Sequence, residues 1–160
     1  MASTWYTNGI YYSLNGSVNL TDRPNDVDSQ TPLYCMLVED TYTPDPDHEF
    51  VSFGVSDSPF HHEISVDGYV GGYNGAGRKL IVYDIQVNAT DNRMELVIND
   101  LTWTNLGVGA TIGGAVIFSK AASDAISPLI GFVDFPDVVT NTGNVTIDFS
   151  TSGNFRINVI

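Results

Sequence analysis

Apolar and polar residues alternate along most of this chain, and the alternation predicts β-strands. The clearest case is Lys79–Asn88, in which every second residue from Ile81 to Val87 is apolar and the residues between them are mostly polar. After a polar turn at residues 89–92, the same pattern resumes over Met94–Ile98. Helical periodicity is almost absent. These two segments therefore predict an antiparallel hairpin with a short polar loop.

Further apolar segments recur at intervals of about ten residues, a spacing typical of β-sandwiches and β-barrels. Turn-forming Gly, Pro, Asn, Asp and Ser residues separate them. The sequence thus predicts a single all-β domain over residues 1–160, built as an antiparallel β-sandwich or jelly-roll-like barrel with long loops and at most one short helix. The remaining predicted strands are Thr4–Tyr12, Leu33–Glu39, Leu101–Trp103, Ala115–Phe118, Leu129–Phe135, Val145–Phe149 and Phe155–Val159.

Three segments do not follow this regular spacing of predicted strands. Residues 41–67 form a long loop with three prolines, in which Asp45 or Asp47 could cap a single helical turn that runs through Phe53. Thr21–Thr31 is polar and rich in Asp, which predicts a loop or an extended arm. Residues 1–10 form a second candidate arm.

Charge is scarce and one-sided. Charged residues make up 16% of the chain, against about 25% in an average protein. The net charge is −13, and the six cations are scattered along the sequence. Nucleic acid and anionic membranes are excluded as expected partners, because both require a basic surface. No apolar stretch approaches the roughly 20 residues that span a bilayer.

Candidate chemistry is sparse. Four carboxylates of the long loop are weak candidates for a calcium site, because hard cations bind several oxygens at once. Gly68–Gly77 lacks the Lys-Ser/Thr ending of a phosphate loop and precedes a strand, so it is interpreted as a hairpin crossing or a binding loop. Without a recognisable nucleophile, triad or metal motif, we expect no enzyme and no cofactor. The calcium candidates are Asp45, Asp47, Glu49 and Asp57.

Aromatic residues cluster in the N-terminal stretch and in the glycine-rich segment. Tyr and Trp are enriched at protein interfaces, and their rings also stack on sugars. Core packing is the alternative role for each of them. The interface candidates are Trp5, Tyr6, Tyr11, Tyr12, Tyr69 and Tyr73.

The order of several short motifs resembles a group of small tailed-bacteriophage virion structural proteins of the head-decoration or minor-capsid kind. The similarity extends from about Tyr11 to Ile160, and its motifs are structural rather than catalytic. They are Leu33–Val38 (LYCMLV), Thr41–Asp45 (TYTPD), His48–Phe50 (HEF), Gly68–Gly72 (GYVGG), Asp100–Thr104 (DLTWT), Ala115–Phe118 (AVIF), Ser127–Phe135 (SPLIGFVDF) and Gly143–Ile147 (GNVTI).

The resemblance implies a β-rich virion component that is assembled in the host cytoplasm. The strong negative charge favours the outer surface of the particle, because packed DNA would repel this chain. We therefore expect a capsid decoration or cement protein that binds the major capsid protein or other virion proteins. We also expect a homo-oligomer, with a trimer favoured by shell symmetry. One alternative is a tail, neck or fibre component. The other is a carbohydrate-binding module that uses Trp5, Tyr6, Tyr69 and Tyr73 as a stacking platform.

Overall fold

The structure, a computed structural model, describes residues 2–20, 32–54, 56–91, 93–149 and 155–158. Short 3₁₀ helices occur at Pro59–His62 and Asp124–Ile126. The one α-helix of the described residues, α1, spans Thr7–Leu14. The strands are β1 (Ala2–Trp5), β2 (Leu33–Glu39), β3 (Lys79–Leu80), β4 (Tyr83–Asn88), β5 (Arg93–Ile98), β6 (Leu101–Trp103), β7 (Thr111–Ser119), β8 (Leu129–Val139), β9 (Val145–Ile147) and β10 (Phe155–Asn158).

The prediction of an all-β, antiparallel fold with at most one short α-helix is confirmed. The described strands form a five-stranded sheet in the order β1-β8-β7-β2-β3, a three-stranded sheet in the order β10-β5-β4, and a two-stranded sheet of β6 and β9. All of their pairings are antiparallel. The finer prediction of a sandwich or jelly-roll barrel stays a prediction.

The five-stranded sheet is covered on both faces. On one face, Leu33, Cys35 and Leu37 pack in a common cluster with buried residues of the two smaller sheets. On the other face, Met36 and Val38 pack with residues of the long loop and with Tyr6. A strand that is buried on both sides needs apolar residues at nearly every position, and this explains why Leu33–Val38 is a continuous apolar run.

The predicted hairpin is confirmed, with one change at its start. β4 and β5 pair in unbroken register from Tyr83 opposite Ile98 to Asn88 opposite Arg93. The predicted strand over Lys79–Asn88 is divided, however, because Lys79–Leu80 pairs with β2 in the other sheet. The chain therefore passes from one sheet to the other at residues 81–82.

The predicted strand over Thr4–Tyr12 is wrong beyond Trp5. β1 pairs with β8, and the chain then turns into α1. Gly9 explains how closely the helix packs, because a Cβ at this position would come within 2.6 Å of the Leu129 carbonyl oxygen. Only glycine lets the helix lie directly on β8. Residues 2–10, which the sequence suggests as an arm, are here an edge strand followed by part of a packed helix.

The helical turn predicted from Asp45 or Asp47 through Phe53 is also wrong. Phe50 forms a β-bridge with Pro128, and the Val51 N–H donates to the Ser127 carbonyl at 3.0 Å. The Asp45 carboxylate instead accepts the Asp47 N–H at 3.0 Å, which forms a local turn. Pairing with residues 127–128 keeps this part of the long loop extended. The Asp-rich segment 21–31 lies outside the described residues.

Candidate interaction surface

A buried ionic cluster lies where the glycine-rich segment meets the five-stranded sheet. The Arg78 guanidinium donates to both carboxylate oxygens of Asp124, at 2.6 and 3.0 Å, and to both of Glu63, at 2.9 and 2.8 Å. The three side chains are 2%, 9% and 4% exposed, respectively. Arg78 also stacks on Phe118, 5.3 Å from the ring centre. We call Glu63, Arg78 and Asp124 the ionic anchor.

The ionic anchor holds the glycine-rich segment in one conformation. Glu63 also accepts the Gly72 N–H at 2.8 Å and the Tyr69 hydroxyl at 3.0 Å. At the far end of the segment, the Trp103 indole N–H donates to the Gly77 carbonyl at 2.6 Å. The glycine-rich segment, Gly68–Gly77, is therefore held near both of its ends by buried polar contacts.

A cleft of about 510 Å³ opens beside this segment. Two apolar side chains on its lining are exposed, Phe60 by 41% and Val70 by 64%. We call this feature the loop cleft. Its lining consists of Phe60, Glu63, Ile64, Ser65, Tyr69, Val70, Gly71 and Gly72.

The six aromatic candidates do not form one surface. Tyr6 and Tyr69 are 1% and 3% exposed and belong to the core, so their rings offer no contact area to a partner. The hydroxyl groups of Tyr6 and Tyr42 share a hydrogen bond of 2.6 Å inside the protein. With two of its four rings buried, the stacking platform suggested for sugar binding (Trp5, Tyr6, Tyr69 and Tyr73) is not present as an exposed face.

The other four aromatic candidates are at least partly accessible. Tyr11 is 60% exposed, on the outer side of α1. Trp5 and Tyr12 are half-buried, and the Tyr12 hydroxyl donates to Glu49. Tyr73 donates to the Ala121 carbonyl, and the Lys120 ammonium lies 4.7 Å from its ring centre. Of the six, Tyr11 offers the most accessible ring.

The four calcium candidates do not converge. Asp45 caps a local turn and lies 3.5 Å from His48, Glu49 accepts from Tyr12, and Asp57 accepts from Ser56. In the described part of the chain, no three His, Cys, Asp or Glu side chains are placed to hold a metal ion. Asp45 and Asp57 instead make contacts within the long loop, and Glu49 contacts the N-terminal helix.

All four cations with described side chains contact groups of this chain. Arg78 belongs to the ionic anchor, and Arg93 pairs with Asp91 at 3.0 Å and with Glu95. Lys79 lies 5.7 Å from the Trp103 ring centre, and Lys120 contacts Tyr34 as well as Tyr73. The surface of the described residues thus presents carboxylates, neutral polar groups and scattered apolar side chains, but no unengaged cation.

Buried tyrosines make the fold sensitive to alkali. Burial raises the pKa of Tyr42 and of Tyr83 to about 12, and it also raises the pKa of Tyr6 and of Tyr69 well above the ordinary value of tyrosine. Unfolded tyrosine has a pKa near 10, so the stability linked to these groups is complete below about pH 10 and is lost as the pH rises through their folded values.

We therefore expect the folded protein to titrate part of its tyrosines only on unfolding. The tyrosinate absorbance should show a delayed step that coincides with loss of the circular-dichroism signal. In denaturant all eight tyrosines should titrate together near pH 10. A single reversible step near pH 10 in the folded protein would contradict this burial.

Sequence reasoning missed the ionic anchor. Arg78 is one of only six cations, and it stands between a glycine-rich segment and a β-strand. That position is the one signal that could have singled it out. Its partners, Glu63 and Asp124, are 15 and 46 residues away, and no spacing rule connects them.

No helix of the described residues has the length and apolar character needed to cross a membrane. No protein-family model, curated protein or solved structure matches this chain.

Proposed function

We propose that this chain is a structural component of a tailed-phage virion that binds the outer surface of the head as a decoration protein. The proposal combines the order of sequence motifs from Leu33 to Ile147 with the properties of the surface. One observation carries it: a cleft with exposed apolar side chains at Phe60 and Val70, whose glycine-rich wall is hydrogen-bonded to the buried Glu63, lies on a surface whose described cations are all engaged.

The loop cleft suits binding to another protein. Because the ionic anchor already fixes Glu63 and Gly72, a partner would not have to order this segment, and less entropy is lost on binding. An apolar side chain of the capsid surface would contact Phe60 and Val70, which are exposed in the free chain. Apolar contacts that lose their water at the centre of an interface supply much of the binding energy.

The charge distribution supports a place on the outside of the head. Because its net charge is −13, the chain would be repelled by packaged DNA, whereas its carboxylates can pair with cations of the capsid surface. Since the described cations are engaged within the chain, the partner must supply the positive charge. Binding to the particle is therefore expected to weaken as the salt concentration rises.

The buried polar groups support a role other than catalysis. Glu63 faces the loop cleft, but it already accepts hydrogen bonds from Arg78, Tyr69 and Gly72. A carboxylate that is saturated in this way is a poor general base for a substrate.

Rebinding to heads that lack the protein tests this function. We expect many copies per head and saturable binding, and a Phe60→Ser/Val70→Ser variant should bind about tenfold more weakly. Val108→Ser is the matched control, since Val108 is 70% exposed and does not line the loop cleft. Decorated heads should also resist heat better than bare heads.

The copy number separates the proposal from its alternatives. A handful of copies at one vertex or along the tail would overturn decoration in favour of a neck, tail or fibre role. Equal binding by the double variant and the Val108→Ser control would remove the loop cleft from the contact.

A further inference from the structure

Among the described strands, β4 forms an unpaired edge of the three-stranded sheet. Its inner side pairs with β5, and no other described strand pairs with it. The Asn99 N–H donates to the Val82 carbonyl at 3.0 Å in the same register as the hairpin. Because hydrogen-bonded pairs alternate along an antiparallel ladder, the even-numbered residues of β4 turn their backbone groups towards β5. Ile85 and Val87 therefore turn theirs towards the open edge.

This edge carries few of the features that prevent strands from associating. The β4–β5 register contains no bulge, and β4 contains neither Pro nor Lys. Val87 is 76% exposed, and its cross-strand partner Met94 is 41% exposed. Within the described residues, the edge-facing N–H and C=O groups of Ile85 and Val87 have no hydrogen-bond partner.

We propose that β4 pairs antiparallel with β4 of a second copy of this chain, around a twofold axis at Gln86. Ile85 of each copy then lies opposite Val87 of the other. The two Ile85–Val87 pairs form four backbone hydrogen bonds, and the two three-stranded sheets become one six-stranded sheet. The inference does not depend on the proposed function.

The apolar face selects this register. Within each copy, Val87 lies opposite Met94, and Ile85 lies opposite the buried Leu96. When Val87 pairs with Ile85 of the second copy, four apolar residues lie side by side across the sheet. They are Met94 and Val87 of one copy and Ile85 and Leu96 of the other. Val87, which is 76% exposed, thereby gains Ile85 of the second copy as an apolar neighbour.

The polar face selects the same register. Asp84 lies opposite the second copy's Asn88, whose own cross-strand neighbour is Arg93. Gln86 lies opposite Gln86, so that two neutral amides separate the Glu95 carboxylates of the two copies. Asp84 then approaches the second copy's Arg93 together with the partners of that cation, Asp91 and Glu95, and no two like charges lie directly opposite each other.

Neighbouring registers are worse. Moving the axis to Ile85 would also pair five residues of each copy, 83–87, so only charge disfavours it: Asp84 would lie opposite Gln86 and next to the second copy's Glu95. Moving the axis to Val87 would leave only residues 86–88 paired, with two backbone hydrogen bonds instead of four.

The pairing is expected to be weak and to strengthen with salt. Pairing five residues of each copy buries far less surface area than the roughly 1,600 Å² of a standard interface. Two chains that each carry a net charge of −13 also repel each other, and salt screens that repulsion. This salt dependence is opposite in sign to that of the proposed binding to heads, so the two proposals can fail separately.

Cysteine cross-linking tests the register. Gln86→Cys should form a disulfide-linked dimer on mild oxidation, because residues facing each other at a non-hydrogen-bonded pair have Cα atoms about 4.5 Å apart. Asp84→Cys alone and Asn88→Cys alone should not cross-link, but an equal mixture of the two should. The native Cys35 is fully buried and stays out of the reaction.

Sedimentation at about 10 µM to 1 mM tests the edge itself. Wild type should show a growing dimer fraction that increases with salt, Val87→Lys should abolish it, and Val108→Lys should leave it unchanged. A wild-type chain that stays monomeric to about 1 mM, with Gln86→Cys cross-linking no faster than Asp84→Cys, overturns the proposal. If wild type is monomeric and Val87→Lys no longer binds heads, the edge contacts another virion protein. That result also overturns the proposed dimer.

Discussion

Replacing Arg78 by methionine is expected to lower the free energy of unfolding by about 3–5 kcal/mol at neutral pH. Methionine fills a similar volume but carries no charge, so Glu63 and Asp124 would remain buried as uncompensated carboxylates. Their side chains are 4% and 9% exposed, and water cannot readily replace the guanidinium. The loop cleft should loosen as well, because Glu63 also holds Gly72 and Tyr69.

Urea unfolding provides the measurement, and Arg93→Met is the matched control. Arg93 pairs with Asp91 and Glu95 near the surface, with its side chain 20% exposed. Such pairs contribute about 0–1 kcal/mol, so the control should lose little. Neutralising the partners as well, in Arg78→Met/Glu63→Gln/Asp124→Asn, should recover part of the loss. Similar losses in Arg78→Met and Arg93→Met would show that the ionic anchor adds nothing beyond a surface pair.

The strand pattern was predictable because it depends on local alternation. In the β4–β5 hairpin, Tyr83 and Ile98 face the core while Asp84 faces outward, as a period of two requires. The division at residues 81–82 was not predictable, since alternation continues across it although the chain changes sheets. Local pattern shows which side chains point inward, but it does not show which sheet they join.

The N-terminal helix was missed because its cause is a long-range contact. Thr7–Leu14 contains three aromatic or β-branched residues after its first position and a central glycine, a composition that favours strand or turn over helix. The close approach of Gly9 to Leu129 and Ile130, more than a hundred residues away in sequence, outweighs that preference. Propensity is a weak guide where tertiary packing decides.

Aromatic residues posed the same problem for the candidate site. The sequence gives Tyr11 and Tyr69 the same polar hydroxyl and the same apolar ring, yet one is 60% exposed and the other 3%. What separates them is the environment of the hydroxyl, since Tyr69 lies between Leu37 and Glu63. The contact with Leu37 joins segments that are 32 residues apart, and no spacing in the sequence specifies it.

The second large effect is expected from Tyr69→Ala, at about 3–5 kcal/mol of lost stability, in the range of a buried aromatic ring replaced by alanine. The ring packs directly on Gly77, where a Cβ would come within 2.7 Å of it. Its hydroxyl accepts the Leu37 N–H at 3.1 Å, and so satisfies a donor on β2, and donates to Glu63 at 3.0 Å. The alanine variant loses the packing and both hydrogen bonds.

Two further variants divide this effect. Tyr69→Phe keeps the ring and leaves the Leu37 N–H without a partner, so it should cost about 1–3 kcal/mol by urea unfolding. Tyr73→Ala, at a half-buried ring in the same segment, should cost about 1 kcal/mol and serves as the control. If Tyr69→Ala were as stable as wild type and lost binding to a partner, Tyr69 would be a contact residue after all. We expect instead that Tyr69→Ala loses stability. Any binding that it loses should then return when a stabilising co-solvent refolds the variant.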